Sequence, residues 1–317
     1  MKRCDIKVGF SCNNNCIFCA QAHKRHLGDL TTEEIKVQLK KGIEDGADEV
    51  VFTGGEPTIR PDIVKLVKYA KDIGFKWIQI QSNCRMCSYI DFVKKLIKAG
   101  ANEFSPSIHG HTPELHDSLV RSKGAWKQTY QAIKNLKSLG QYVMTNTVVV
   151  KQNYKYLPQI AQMLVNLKVD QFQLAFVHAT GNAAKYFDIV VPRVKDVAPY
   201  VHKALDIARK YKVRAMVEAF PFCLMKGYEE FVSELYIPIG EIRESDMFIA
   251  KYEDWRLNEG KRKSPKCKEC KYDLICEGPW REYPEHFGFD EFIPVKGEKI
   301  KSRDEILKRA PKWQTKE

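Results

Sequence analysis

No apolar run in this chain approaches the ~20 residues needed to cross a bilayer, and Met1-Lys2-Arg3 leads into a strand-like segment with no signal-peptide core. Together these absences predict a cytoplasmic protein with no membrane partner. Internal repeats and low-complexity tracts are also missing, which excludes solenoids and disordered tails. Charge of one sign never accumulates: 52 Lys and Arg face 40 Asp and Glu, a net +12, yet the densest basic stretch is Lys261-Arg262-Lys263. The excess favours anionic partners, but its dispersion describes solvated faces rather than a nucleic-acid tail.

What is present is more specific. A chain of 317 residues, 44% hydrophobic, can bury one large α/β domain plus a smaller appendage. Ten cysteines fall in clusters, and in a reducing compartment these read as metal ligands rather than a disulfide framework. Strand patterns occur near 5–10, 48–53, 76–81, 103–108, 142–150 and 171–177. Amphipathic helix patterns lie between them, near 31–45, 61–73, 89–99, 125–139 and 155–167. Thr31 or Thr32 with Glu33 or Glu34 marks a helix start, and Gly74, Gly100 and Gly140 fall at helix ends. The alternation predicts a partial (β/α)6 TIM-like barrel over residues 1–215, followed by a small cysteine-rich extension over 216–317, with working groups at the carboxyl ends of the strands.

The densest chemistry is Cys12-Asn-Asn-Asn-Cys16-Ile-Phe-Cys19. Three thiolates can hold three irons of a [4Fe-4S] cubane and leave the fourth open to bind another molecule. Asn13, Asn14 and Asn15 tolerate the irregular backbone of such a loop, and Phe18 would screen the cluster from water. Zinc completed by His23 or His26 is the other reading of these residues. A second motif, Gly54-Gly55-Glu56-Pro57, ends the apolar strand Asp48–Thr53. Bare glycine backbone there can approach a ligand closely, and Glu56 offers an acceptor for an ammonium group.

The two motifs together resemble the radical S-adenosylmethionine (SAM) enzymes, whose cluster loop is CxxxCxxC with an aromatic before the last cysteine and whose second strand ends in GGEP. The resemblance implies a [4Fe-4S] cluster on Cys12, Cys16 and Cys19, and SAM held at Gly54, Gly55 and Glu56. It implies reductive cleavage of SAM to a 5′-deoxyadenosyl radical that takes hydrogen from a substrate. Asn83, in Gln79-Ile80-Gln81-Ser82-Asn83, matches the family's Thr-Asn-Gly strand end, with Cys84 in place of the glycine. Ser107 is the candidate ribose contact. Arg121, in His116-Asp117-Ser118-Leu119-Val120-Arg121, could fork onto a carboxylate, and Asn146, in Thr145-Asn146-Thr147-Val148, could bond cofactor or substrate.

The extension carries Cys267-Lys-Glu-Cys270 and Cys276, which resemble the carboxyl-terminal modules called SPASM and twitch. The resemblance implies a second [4Fe-4S] cluster; three local thiols suggest either an open cluster or a fourth ligand from elsewhere, for which Cys223, lying between barrel and tail, is the candidate, and a structural zinc knuckle is the other reading of these residues. Cys84 and Cys87 read as a redox pair, a late ligand or buried reduced thiols. His109, His111, His116 and His178 fall near the pocket mouth and stay outside the catalytic list. The run Trp280, Tyr283, His286, Phe287 and Phe289 reads as packing rather than base recognition. The expected partners are an electron donor such as ferredoxin or flavodoxin and a peptide or small-molecule substrate. The segment ahead of the first strand is too short for a leader-binding domain, which favours a small molecule or a peptide delivered by another protein. The rival class is a basic nucleic-acid-binding protein with two zinc sites.

Overall fold

The computed structural model describes residues 2–315. Six strands follow the expected rhythm: β1 (Lys2–Lys7), β2 (Glu49–Thr53), β3 (Trp77–Ser82), β4 (Glu103–Pro106), β5 (Tyr142–Val149) and β6 (Gln171–Phe176). Helices α1 (Thr32–Glu44), α2 (Ile63–Asp72), α3 (Ile90–Ala99), α4 (Pro113–Val120), α5 (Ala125–Ser138) and α6 (Leu157–Asn166) run between them. Two single turns, α7 (Asn182–Lys185) and α8 (Phe187–Val190), precede the long α9 (Val194–Tyr211). Thr31 closes a reciprocal capping box with Glu34 at the start of α1.

The sheet is larger than the sequence pattern predicts. β7 (Arg214–Glu218) pairs parallel to β6, and β8 (Ile239–Arg243) pairs parallel to the free edge of β1, with β9 (Phe248–Ile249) antiparallel beyond it. The order is β7-β6-β5-β4-β3-β2-β1-β8-β9. The sheet thus crosses the division drawn at 215/216, which falls inside β7. Pro199 sits inside α9 and reads as a helix breaker, which hides the helix–strand unit that ends in β7. No helix among the described residues is long and apolar enough to cross a membrane.

Alternation along the strands sorts the two faces. Cys4, Ile6, Val50, Phe52, Ile78, Ile80, Phe104, Val143, Phe172 and Leu174 point outward and are buried against the helices. Burying one such side chain contributes about 1.5–3 kcal/mol, so the core lies between sheet and helices. The inner face is polar, and it surrounds a lumen of about 490 Å³ lined by residues such as Arg3, Asp5, Gln79, Asn146, Gln173 and Glu218. Closed TIM barrels fill this space with branched apolar side chains; here the barrel is a container.

Candidate active site

The loop after β1 carries Cys12, Cys16 and Cys19, all free. Its irregular backbone is satisfied from four directions. The last carbonyls of α4 accept from it, Asn15 N to Val120 O at 2.9 Å and Ile17 N to Leu119 O at 3.0 Å. Asn182, at the start of α7, donates its backbone N–H to Cys19 O at 2.9 Å and its Nδ2 to Cys16 O at 2.8 Å. Arg85, just past β3, donates Nη1 to Asn13 O at 2.6 Å and to Asn14 Oδ1 at 3.0 Å. Arg25 donates Nη2 to Asn14 O at 2.9 Å. Asn182, Arg85 and Arg25 were not legible as site residues, because a single Asn or Arg in a loop carries no pattern.

Asn83 is drawn into the same loop. Its Nδ2 donates to Asn13 Oδ1 at 2.7 Å and lies 4.0 Å from Cys12 Sγ, while its backbone N–H donates to Glu56 Oε2 at 2.7 Å. Glu56 is buried, and Oε1 accepts from Thr58 N at 2.8 Å, from the Thr58 hydroxyl, and from Ser82 Oγ at 2.6 Å. Burial pushes its pKa up against these four donors. Its carboxylate is therefore spent on joining β2 to β3, so the expectation that it accepts an ammonium is met by a side chain already engaged.

The glycine pair also departs from expectation. A Cβ on Gly55 would run into the carbonyl oxygens of Ser11 and Phe10, and one on Gly54, at φ +121°, into Gly9 O. The space beside the glycines is filled by the backbone leading to Cys12, and Gly55 N and Glu56 N donate to Gly9 O at 2.7 Å and Ser11 O at 2.8 Å. These glycines dock the cysteine loop onto β2 rather than leave an open cradle.

Phe18 is buried and meets His109 edge to face at 4.8 Å. Ser107 and Asn146 form an isolated parallel bridge between the β4 and β5 ends. Arg121 caps α4 in the left-handed region at φ +51°, and its guanidinium lies 5.1 Å from the Tyr186 ring centre. Cys84 holds φ +57°, a left-handed conformation that glycine adopts freely, and it and Cys87 are free, fully buried thiols joined by a hydrogen bond. His23 and His26 are exposed, with His26 Nδ1 against His23 O at 2.9 Å. They face solvent instead of completing a zinc shell.

The second group assembles at the other end of the chain. Cys223, Cys267, Cys270 and Cys276 line one small cleft. Burial pushes Cys223 up to about 12, helped by Cys276, Cys270 and Cys267 in that order, and burial takes Cys276 to about 11. In the loop, burial takes Cys12 to about 11. Thiols this reluctant to ionise alone are matched to a cationic metal centre that takes the charge. Among the described residues no three His, Cys, Asp or Glu are gathered tightly enough for a single ion, so the chain offers thiol placement rather than a formed coordination sphere.

The protein-family model described as Radical SAM superfamily matches residues 6–164. An AdoMet-dependent heme synthase of Oleidesulfovibrio alaskensis is 32% identical over 181 residues, covering 56% of this chain and 46% of that protein. An AdoMet-dependent heme synthase of Methanosarcina barkeri is 26% identical over 314 residues, covering 84% and 87%. Against the first, the match spans about half the relative's length. The crystal structure of Streptococcus suis SuiB bound to S-adenosylmethionine superposes with a TM-score of 0.64 at 16% identity, covering 95% of this chain and 76% of that one, a likeness of fold.

Proposed function

The chain belongs to the radical SAM superfamily, and from that premise we propose that Cys12, Cys16 and Cys19 hold its catalytic cluster while Cys223, Cys267, Cys270 and Cys276 hold a second one. It is an enzyme, with a [4Fe-4S] cluster and S-adenosylmethionine as cofactors, so the non-enzymatic zinc reading falls away. When bound, these cofactors supply a 5′-deoxyadenosyl radical that abstracts hydrogen.

The chain's own part is to hold and to shield. Three thiols on a loop fixed by Asn182, Arg85 and Asn83 leave one cluster position for an external ligand, and this three-plus-four division of thiols carries the reading. Gly54, Gly55 and Glu56 keep the β2 end pressed against that loop, so their backbone groups border the SAM site. Ser107, Arg121 and Asn146 stand round the same strand ends, where they would contact the nucleoside and the methionine carboxylate. Phe18, packed on His109, keeps water from one side. The extension from 216 onward, in the manner of a SPASM or twitch module, would carry the second cluster. A peptide or small molecule enters the lumen, and electrons come from a small carrier such as ferredoxin or flavodoxin.

Anaerobic iron and sulfide analysis, with a 5′-deoxyadenosine assay on reduced protein, tests this. About eight irons per chain, brown colour and slow cofactor cleavage without substrate are expected for two cubanes. Colourless protein that retains zinc after reconstitution and makes no 5′-deoxyadenosine would overturn it.

A further inference from the structure

The lumen constrains what can enter it. Its lining carries four carboxylates, Asp5, Glu49, Glu103 and Glu218, against two guanidiniums, Arg3 and Arg214, inside a protein whose net charge is +12. Both guanidiniums are engaged. Arg3 bonds Asp5 through Nε at 2.5 Å and Nη2 at 3.3 Å. Arg214 donates Nε to Gln314 O at 2.9 Å and lies over the Tyr236 ring. The cations behind Glu218 are engaged too, Arg256 with Glu277 at 2.9 Å and Lys261 with Glu234 and Glu277.

At the upper end of the lumen the groups want donors. Gln173 Nε2 donates to Glu218 Oε2 at 2.6 Å. Asn146 is the register partner of Gln173 on β5, and its Oδ1, hidden from solvent, has no hydrogen-bond partner among the described residues. A buried acceptor left unbonded costs about 1–3 kcal/mol, and an incoming donor recovers it. Burial first, and then the neighbouring Glu234 carboxylate, hold the Glu218 carboxyl above its ordinary range against the pull of Lys261, Arg256 and His178, so a further cation in direct contact would stabilise its charged form. Asn146 also bridges to Ser107, which places this upper end directly beside the strand ends assigned to SAM.

We propose that the lumen takes a substrate bearing an ammonium or guanidinium group, such as a Lys or Arg side chain of a peptide, read by Glu218 and Asn146. This rests on the radical-enzyme reading above and narrows its substrate to a basic one. A nucleoside triphosphate or a polycarboxylate would be desolvated against a surplus of carboxylates, which is like-charge juxtaposition in a sheltered space.

The test uses unreduced, SAM-loaded, cluster-replete enzyme, titrated with Gly-Gly-X-Gly-Gly peptides in which X is Lys, norleucine or Glu, and with GTP. The Lys peptide is expected to bind about tenfold more tightly than norleucine, one favourable charge contact of about 1.4 kcal/mol, with the Glu peptide and GTP weaker still. Glu218→Gln should bring Lys and norleucine within about twofold of each other. Where that variant does not fold, Gln173→Lys, which sets a resident ammonium beside Glu218, should likewise bring Lys and norleucine within about twofold of each other. Equal Lys and norleucine affinities, tighter binding of the Glu peptide or GTP, or an undiminished Lys preference in Glu218→Gln each overturn the proposal. Wild-type enzyme that cleaves SAM yet shows no Lys preference sinks this inference alone. Wild-type enzyme that fails to cleave SAM sinks the reading beneath it.

Discussion

The cysteine loop of residues 12–19 is held through its backbone by distant polar side chains, whereas the four thiols of the extension are held by packing and a buried ion network. Around the loop, Asn182, Arg85 and Arg25 each satisfy main-chain carbonyls. Around the cleft, fully buried Tyr272 stacks on Phe222 at 5.3 Å, and Val295 N donates to Cys270 Sγ at 3.3 Å. Behind Cys276, Arg256 grips Glu277 with two bonds of 2.9 Å, and Lys261 bonds Glu277 and Glu234. All four of these charged residues are buried. A three-thiol site that must keep one side open cannot be packed shut, so its geometry is carried by hydrogen bonds. A four-thiol site can be enclosed.

The largest expected contrast comes from removing ligands on either side. Cys16→Ala should reduce 5′-deoxyadenosine formation to background, while Cys267→Ser with Cys270→Ser should remove about four irons, one cubane's worth, and leave the electron paramagnetic resonance signal of the barrel cluster. A cleavage-competent Cys16→Ala variant would break the assignment of the open site, and iron unchanged with zinc lost would make the extension a zinc knuckle.

Next in size is Arg256→Met, which leaves the Glu277 carboxylate short of its bidentate partner in a buried setting. Breaking such a pair costs about 3–5 kcal/mol, here toward the lower end because Lys261 stays at 3.1 Å. Chemical denaturation should show the loss, with thiols 267–276 becoming reactive before those of the loop. Simultaneous exposure of both groups would mean that the extension has no stability of its own.

Asn182→Ala should cost about 0.5–1.5 kcal/mol by removing the side-chain bond to Cys16 O, which keeps only its bond from Cys19 N at 3.2 Å. Its signature is slower cluster reconstitution at 12–19 with the extension unaffected. Equal rates in variant and wild type would show that the loop needs no such anchor.

The remaining effect is acid-dependent and confined to the barrel side. His116 is buried, and burial first, then the nearby Arg85 charge, hold it down to about 4 against an opposing pull from Asp117. Its folded value lies below the ordinary one near 6.5, so its contribution is whole above pH 6.5 and is lost as pH falls towards 4. An upper bound of about 3 kcal/mol follows from the size of that shift. Hydrogen exchange in α4 should quicken over this window in wild type and change less in His116→Gln; a window above pH 7 would reverse the sign and refute it.

Much of this was legible in the chain before folding. Strands 48–53 and 142–150 and helix 31–45 were found to within a residue or two, because alternation and a capping box are local signals. Cys12, Cys16 and Cys19 were legible because three thiols in eight residues have few other uses. What sequence reasoning did not show were the protein partners of the second motif: Glu56 bonds Thr58, Ser82 and Asn83, and Gly55 abuts Ser11.

Sequence alone determined the βα rhythm, the three-cysteine loop and the second cysteine group, since each lies within a short span where spacing fixes geometry. Only tertiary structure decided that Asn182 anchors a loop at Cys16 and that the strands turn their carboxylates and amides inward around an open lumen, whereas Cys223, picked from the sequence by its place between barrel and tail, does share one cleft with thiols more than forty positions away. The physical reason is that sheet register and crossover path set which faces meet, and those pairings are long-range choices that no local pattern encodes.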